Sequence, residues 1–264
     1  MGRKRIIEDR LQRLIEGIKK ADYKDSDNEH MAQLAKERIN ELQRRSIYCV
    51  DKFVQKLLYR VNDKEAYLDI LMEGRFAIVL ARNNFSDIYI EYIDKGPDLK
   101  ATWNRNTIYF EVTRSRPSEE DRAAAQTGAA FVSQDSVGSI IGKISEKIPQ
   151  LQSGGINIVV IWSDTVNLLL PCIKEAFKYI QQENDQNPGV YEKLSGILFT
   201  ESGGVDMATL KQFYLFENKE ASKPLGSRLF NKLDNLHERN INQLQREKEE
   251  LAAAFRKLKA QESL

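Results

Sequence analysis

Residues 87–113 read DIYIEYIDKGPDLKATWNRNTIYFEVT. Three runs rich in Ile, Tyr, Phe, Val and Thr are separated by Lys95-Gly96-Pro97 and Asn104-Arg105-Asn106. β-branched and aromatic residues favour the pleated, half-buried backbone, and Gly, Pro and Asn break it into turns. The stretch therefore predicts strands over Asp87–Ile93, Asp98–Trp103 and Thr107–Thr113, joined too tightly for anything but an antiparallel meander. The third run carries an acid, Glu111, between Phe110 and Val112, with Asp98 following the Pro97 turn on its neighbour. A carboxylate in so apolar a strand is expensive to bury unless a partner or a metal ion compensates it.

Upstream the hydrophobic period changes from two to that of a helix. Ile7, Leu11, Leu14, Ile15 and Ile18 mark a helix over 4–20. Leu34, Ile39, Leu42, Val50, Phe53, Leu57 and Leu58 mark one long or two short helices over 29–61. Asn62-Asp63 offers a cap for a helix from Lys64 to about Ala81. Downstream, Ser136–Leu151 carries Ile140, Ile141, Ile144, Ile148 and Leu151 on one face. The apolar run Ile156–Trp162 predicts a central strand buried on both faces. A helix over Leu168–Gln182 and strands over Leu194–Thr200 and Gln212–Phe216 follow. The chain from Pro224 reads as one long polar helix, with Leu244, Leu251 and Leu258 at heptad spacing that suits a coiled coil or a dimer. The expected fold is α/β: a mixed central sheet with an αβββαβ core flanked by helices, with helical extensions at both ends. The expected organisation is a helical region over 1–63, a core over 64–218 and a long helix over 219–264.

Composition sets the outer bounds. Of 264 residues, 41% are hydrophobic and 30% charged, so a large core coexists with exposed helices. The longest apolar run is far shorter than the ~20 residues that span a bilayer, and the N-terminus lacks an apolar signal core. Two cysteines are too few for a disulfide framework or a Cys-based zinc site. These features predict a soluble, cytoplasmic protein without a membrane partner. The net charge of +1 conceals an asymmetry: residues 1–60 hold 15 Lys/Arg against 10 Asp/Glu, residues 219–264 hold 10 against 7, and residues 61–218 hold 15 against 22. Basic flanks around an acidic centre suit a protein that grips a polyanion and holds cations at its centre.

The order helix, meander, helix, buried strand, with Asp98 in the second strand and Glu111 in the third, resembles the PD-(D/E)XK nuclease superfamily, the restriction-endonuclease-like fold. The resemblance covers about residues 64–217. It implies a Mg²⁺-dependent (or Mn²⁺-dependent) endonuclease, most simply on DNA and in a restriction or defence role, with Asp98, Glu111 and the carbonyl of Val112 as metal ligands. It also implies a glutamate from the preceding helix, for which Glu73 is the candidate. The lysine that family members carry two residues after the second acid is replaced here by Thr113. The resemblance allows a migrated lysine, and Lys143 and Lys147, four apart on the next helix, are the expected substitutes, ahead of Lys100. Arg114, Arg116 and Arg122 follow the third strand and are candidate phosphate contacts. The alternative is a catalytically inactive nucleic-acid- or protein-binding module on the same fold, which Thr113 favours. The run from Gly138 to Lys143 is one residue short of a phosphate loop, and His30 and His237 lie too far apart in sequence to suggest a zinc pair.

Overall fold

The computed structural model describes residues 2–21, 23, 28–91, 96–115, 136–163, 170–187, 189–202 and 210–236. Four helices come first: α1 (Gly2–Lys20), α2 (Asn28–Arg44), α3 (Val50–Tyr59) and α4 (Lys64–Arg82). The meander follows as β1 (Ser86–Ile90), β2 (Leu99–Trp103) and β3 (Asn106–Ser115). Then come α5 (Ser136–Lys147), β4 (Ile156–Ser163), α6 (Leu170–Gln186), β5 (Gly196–Ser202), β6 (Leu210–Glu217) and α7 (Gly226–Asp234). The six strands form one mixed sheet in sequence order. Pairs β1–β2, β2–β3 and β5–β6 are antiparallel, whereas β3–β4 and β4–β5 are parallel. No helix among the described residues is long and apolar enough to cross a membrane.

Side-chain alternation along the central strands builds the layers. Ile158, Val160 and Trp162 of β4 join Ile108, Phe110 and Val112 of β3 in the core beneath α1–α4 and α7. Val159 and Ile161 point the other way, into a second core with Ile140 and Ile144 of α5 and Ile173, Ala176 and Ile180 of α6. Both faces of β4 are thus buried, as its apolar run predicts. The polar residue Asn157, near its start, is fully buried but satisfied. Its side chain accepts from the Gln152 N–H at 3.0 Å and donates to the carbonyls of Gln152, Gly155 and Lys193.

Helix α4 is the pillar of the larger core. The Asp63 carboxylate caps it by accepting from the Ala66 N–H at 3.1 Å. Tyr67, Leu68 and every residue from Ile70 to Leu80 are buried. Phe76 meets Phe110 and Trp162 edge-on, with centroids 5.3 and 6.5 Å apart. A Cβ on Gly74 would lie 2.7 Å from the Phe53 ring, so this glycine is what lets α3 approach α4 closely.

The departures from the expected boundaries have local causes. Of the two readings of 29–61, two short helices is the one found, because Ser46 (φ 56°) and Cys49 (φ 64°) take left-handed backbone and Tyr48 forms a parallel bridge to Tyr89 on the edge of β1. The helix expected over Ser136–Leu151 ends at Lys147 and tightens into a 3-10 turn over Ile148–Gln150, since Pro149 has no N–H to continue the α pattern. Strand β1 ends at Ile90 rather than Ile93: Glu91 turns to φ 53°. Of the helix expected from Pro224, the described residues contain α7, with Asn235 at its C-cap, and 237–264 lie outside them. The heptad leucines Leu244, Leu251 and Leu258 lie outside the described residues, as do Arg116 and Arg122.

Candidate metal centre

The site arises where the meander runs out. Ile90↔Leu99 is the last β1–β2 pair at this end and Leu99↔Phe110 the last β2–β3 pair, yet β3 continues to Ser115 along β4. Among the described residues, no strand pairs with the β2-side edge of β3 from Glu111 onward. Asp98 fills the notch: its carboxylate accepts from the Val112 N–H at 2.8 Å, where the next strand residue would otherwise pair. In an extended strand the N–H and C=O of one residue leave on the same edge, so the Val112 carbonyl also faces the notch.

Three carboxylates converge there. Glu73 comes from α4, Glu91 from the end of β1 and Asp98 from the start of β2, and one oxygen of each lies within 4.8 Å of the others. Glu73 is 5% exposed and Asp98 9%. The left-handed turn at Glu91 is held by its N–H, which donates to the Asp98 carbonyl at 2.8 Å. The Lys56 ammonium, from α3, donates to Glu91 at 2.6 Å, to both oxygens of Glu73 at 2.9 and 3.0 Å, and to Asp98 at 3.4 Å.

Glu111 adjoins this group without belonging to it. It is 1% exposed and accepts from the Asp98 N–H at 3.3 Å. Its other oxygen accepts from Lys147 of α5 at 2.7 Å. Strand alternation explains the separation: Phe110 and Val112 face α4, whereas Glu111 faces α5. Lys143, one turn earlier, instead pairs with Glu146 at 3.3 Å. Thr113 lies two residues past Glu111 on the same face of the strand. Lys100 lies over the Tyr89 ring, 5.0 Å from its centroid. Arg114 is buried and forms ion pairs with Glu65 and with Asp69 of α4, the latter at 2.9 Å.

Electrostatics follow from the crowding. Burial, and then the neighbouring Asp98 charge, push Glu111 up to about 7, although Lys147 opposes both. Burial and the charges of Asp98 and Glu91 hold Glu73 well above the usual carboxylate range, against the pull of Lys56. For Lys56, burial favours the neutral amine, but Glu73, Asp98 and Glu91 outweigh it and raise the pKa. Lys147 is raised in the same way, chiefly by Glu111 and Asp98. With all groups ionised, four carboxylates (Glu73, Glu91, Asp98, Glu111) face two ammonium groups (Lys56, Lys147). The imbalance has the sign that favours a further bound cation.

The donor set also fits such an ion geometrically. Hard divalent cations take carboxylate and carbonyl oxygens, at ~2.0–2.1 Å for Mg²⁺ and ~2.3–2.6 Å for Ca²⁺. Opposed ligands on one ion are then about 4.2 Å apart for Mg²⁺ and about 5 Å for Ca²⁺. The three oxygens lie within 4.8 Å of one another, inside the separation of opposed ligands on Ca²⁺.

Of the residues gathered at the notch, the sequence singles out Asp98, Glu111, Glu73 and Lys147, but not Glu91 or Lys56. Glu91 reads as an ordinary strand residue unless β1 is known to end at Ile90. Lys56 carried one usable signal: it is a lysine among Phe53, Val54 and Leu57, all three buried on α3. Neither a known family model nor a curated protein sequence matches the chain.

Proposed function

We propose that the chain is a Mg²⁺- or Mn²⁺-dependent phosphodiesterase, an endonuclease acting on DNA, built on the PD-(D/E)XK pattern its sequence resembles. The observation that carries this is the convergence of Glu73, Glu91 and Asp98 from three elements beside the β3 edge and a Glu111–Lys147 pair. Asp98, with Glu73 and Glu91, would hold the cation, and the Val112 carbonyl lies on the same edge. A bound divalent ion would neutralise phosphoryl charge and make coordinated water acidic. Glu111 would take the proton of the attacking water, as a buried carboxylate held by Lys147 beside the candidate cation position. Lys147 would orient Glu111 and supply the positive charge that Thr113 cannot. The basic flanks support a polyanionic substrate. The restriction or defence role, and a dimer through the terminal helices, rest on the resemblance and the heptad leucines alone.

A non-catalytic binding module on the same fold is favoured by one observation: Lys56 already neutralises part of the acid cluster. Plasmid DNA, linear DNA and RNA incubated with Mg²⁺ or Mn²⁺ separate the two. Cleavage by the wild type, lost with EDTA and in Asp98→Asn, supports the nuclease. Nucleic-acid binding that survives EDTA and Glu111→Ala, without cleavage, supports the module. Cleavage undiminished in Asp98→Asn contradicts the assigned centre.

A further inference from the structure

The three acids that would take a metal ion already hold a cation of the protein's own. The Lys56 ammonium lies 2.6–3.4 Å from Glu91, Glu73 and Asp98 together. It occupies the space between them, because a nitrogen within hydrogen-bonding reach of all three carboxylates must sit near their common centre. A divalent ion bound to the same oxygens at ~2.1 Å would come within contact distance of that nitrogen. Two cations cannot share the position.

The backbone of α3 cannot retreat readily to make room. Phe53, Val54 and Leu57 are fully buried, and the glycine at position 74, next to Glu73, is needed for Phe53 to pack. The lysine side chain can move. It is 34% exposed, unlike the acids it contacts, and its flexible four-carbon stem gives the ammonium a route to solvent.

We propose that Lys56 is a tethered counter-ion that holds the Glu73, Glu91 and Asp98 carboxylates together in the metal-free protein and withdraws when a divalent cation enters. This rests on the metal-centre reading above. Metal affinity is then set by competition between a free divalent ion and an attached monovalent one. Lys56 keeps the acids gathered without metal, and it weakens metal binding by the work of displacing it.

Mn²⁺ binding to the full-length protein at pH 7.5, followed by calorimetry, tests this with wild type and Lys56→Met. The variant should bind Mn²⁺ at least about tenfold more tightly, equivalent to about 1.4 kcal/mol. Its melting temperature should also rise more on Mn²⁺ addition, because its metal-free acids lack a counter-charge. A second measurement needs no stable variant: the side-chain NMR signal of Lys56 in ¹³C-lysine-labelled wild type should shift on saturation with Mg²⁺. Equal or weaker Mn²⁺ binding by Lys56→Met, or an unmoved Lys56 signal in Mg²⁺-loaded protein, overturns the tethered counter-ion and leaves the metal centre standing. If neither wild type nor variant binds Mn²⁺, the metal-centre reading fails and this inference fails with it.

Discussion

Replacing Lys147 with methionine should produce a stability defect that grows with pH. In the wild type, Glu111 has an ordinary carboxyl pKa of 4.5 when unfolded and about 7 when folded. The folded state therefore binds more protons between those values, and stability falls as pH rises from 4.5 to 7, by about 3 kcal/mol in total at 1.36 kcal/mol per unit. Above 7 the wild type levels off, because the Lys147 ammonium at 2.7 Å makes the Glu111 carboxylate tolerable. Lys147→Met removes that ammonium, so the folded pKa of Glu111 climbs and the decline continues. Near pH 6 the buried acid is protonated in both proteins, and the difference should be only about 1 kcal/mol, from a lost hydrogen bond. Each further unit above pH 7 should add about 1.4 kcal/mol, reaching about 3–4 kcal/mol by pH 9. Lys147 itself is held above its ordinary pKa, so its own titration does not enter this range. Urea unfolding in EDTA at pH 6, 7, 8 and 9 measures the difference directly. A difference that stays flat across that series would refute the coupling of Glu111 to Lys147.

Asp98→Asn should lower Mn²⁺ affinity by about a hundredfold or more, because it removes a charged candidate ligand while its amide oxygen can still accept from the Val112 N–H; calorimetry measures it. Phe76→Ala should cost about 3–5 kcal/mol in urea unfolding, since its ring is buried against Phe110 and Trp162. Arg114→Met should destabilise the fold by about 2 kcal/mol, by removing the buried guanidinium that pairs with the half-exposed Glu65 and Asp69. If Arg114 acts only in that way, the salt dependence of DNA affinity should keep its slope in this variant.

The sheet was legible because its strands differ in kind. The meander shows as three short runs punctuated by Gly96-Pro97 and Asn104-Arg105-Asn106, and β4 shows as a run apolar on both faces. Helix α4 could be placed from its cap and its hydrophobic density. The ends of elements were harder to read, since they depend on contacts distant in sequence. Ser46 and Cys49 bend the chain so that Tyr48 can reach Tyr89, and no local pattern announces that. The same limit applied to the candidate site. Asp98 and Glu111 stand out as acids in or beside apolar strands, and Lys147 as one of two lysines on the right helix. Which of the two reaches Glu111 depends on how α5 lies over β3. Glu91 and Lys56 become visible only when α3, α4 and β1 are brought together, because their contacts span 17 to 42 positions in the chain.

A crystal of the protein soaked in Mn²⁺ and recorded at an anomalous wavelength tests the centre most directly. One Mn²⁺ peak bonded to Asp98 is expected, with Glu73 and Glu91 around it and the Lys56 ammonium turned away. Mn²⁺-saturated crystals in which no peak lies among those carboxylates, and Lys56 still bridges them, would contradict it.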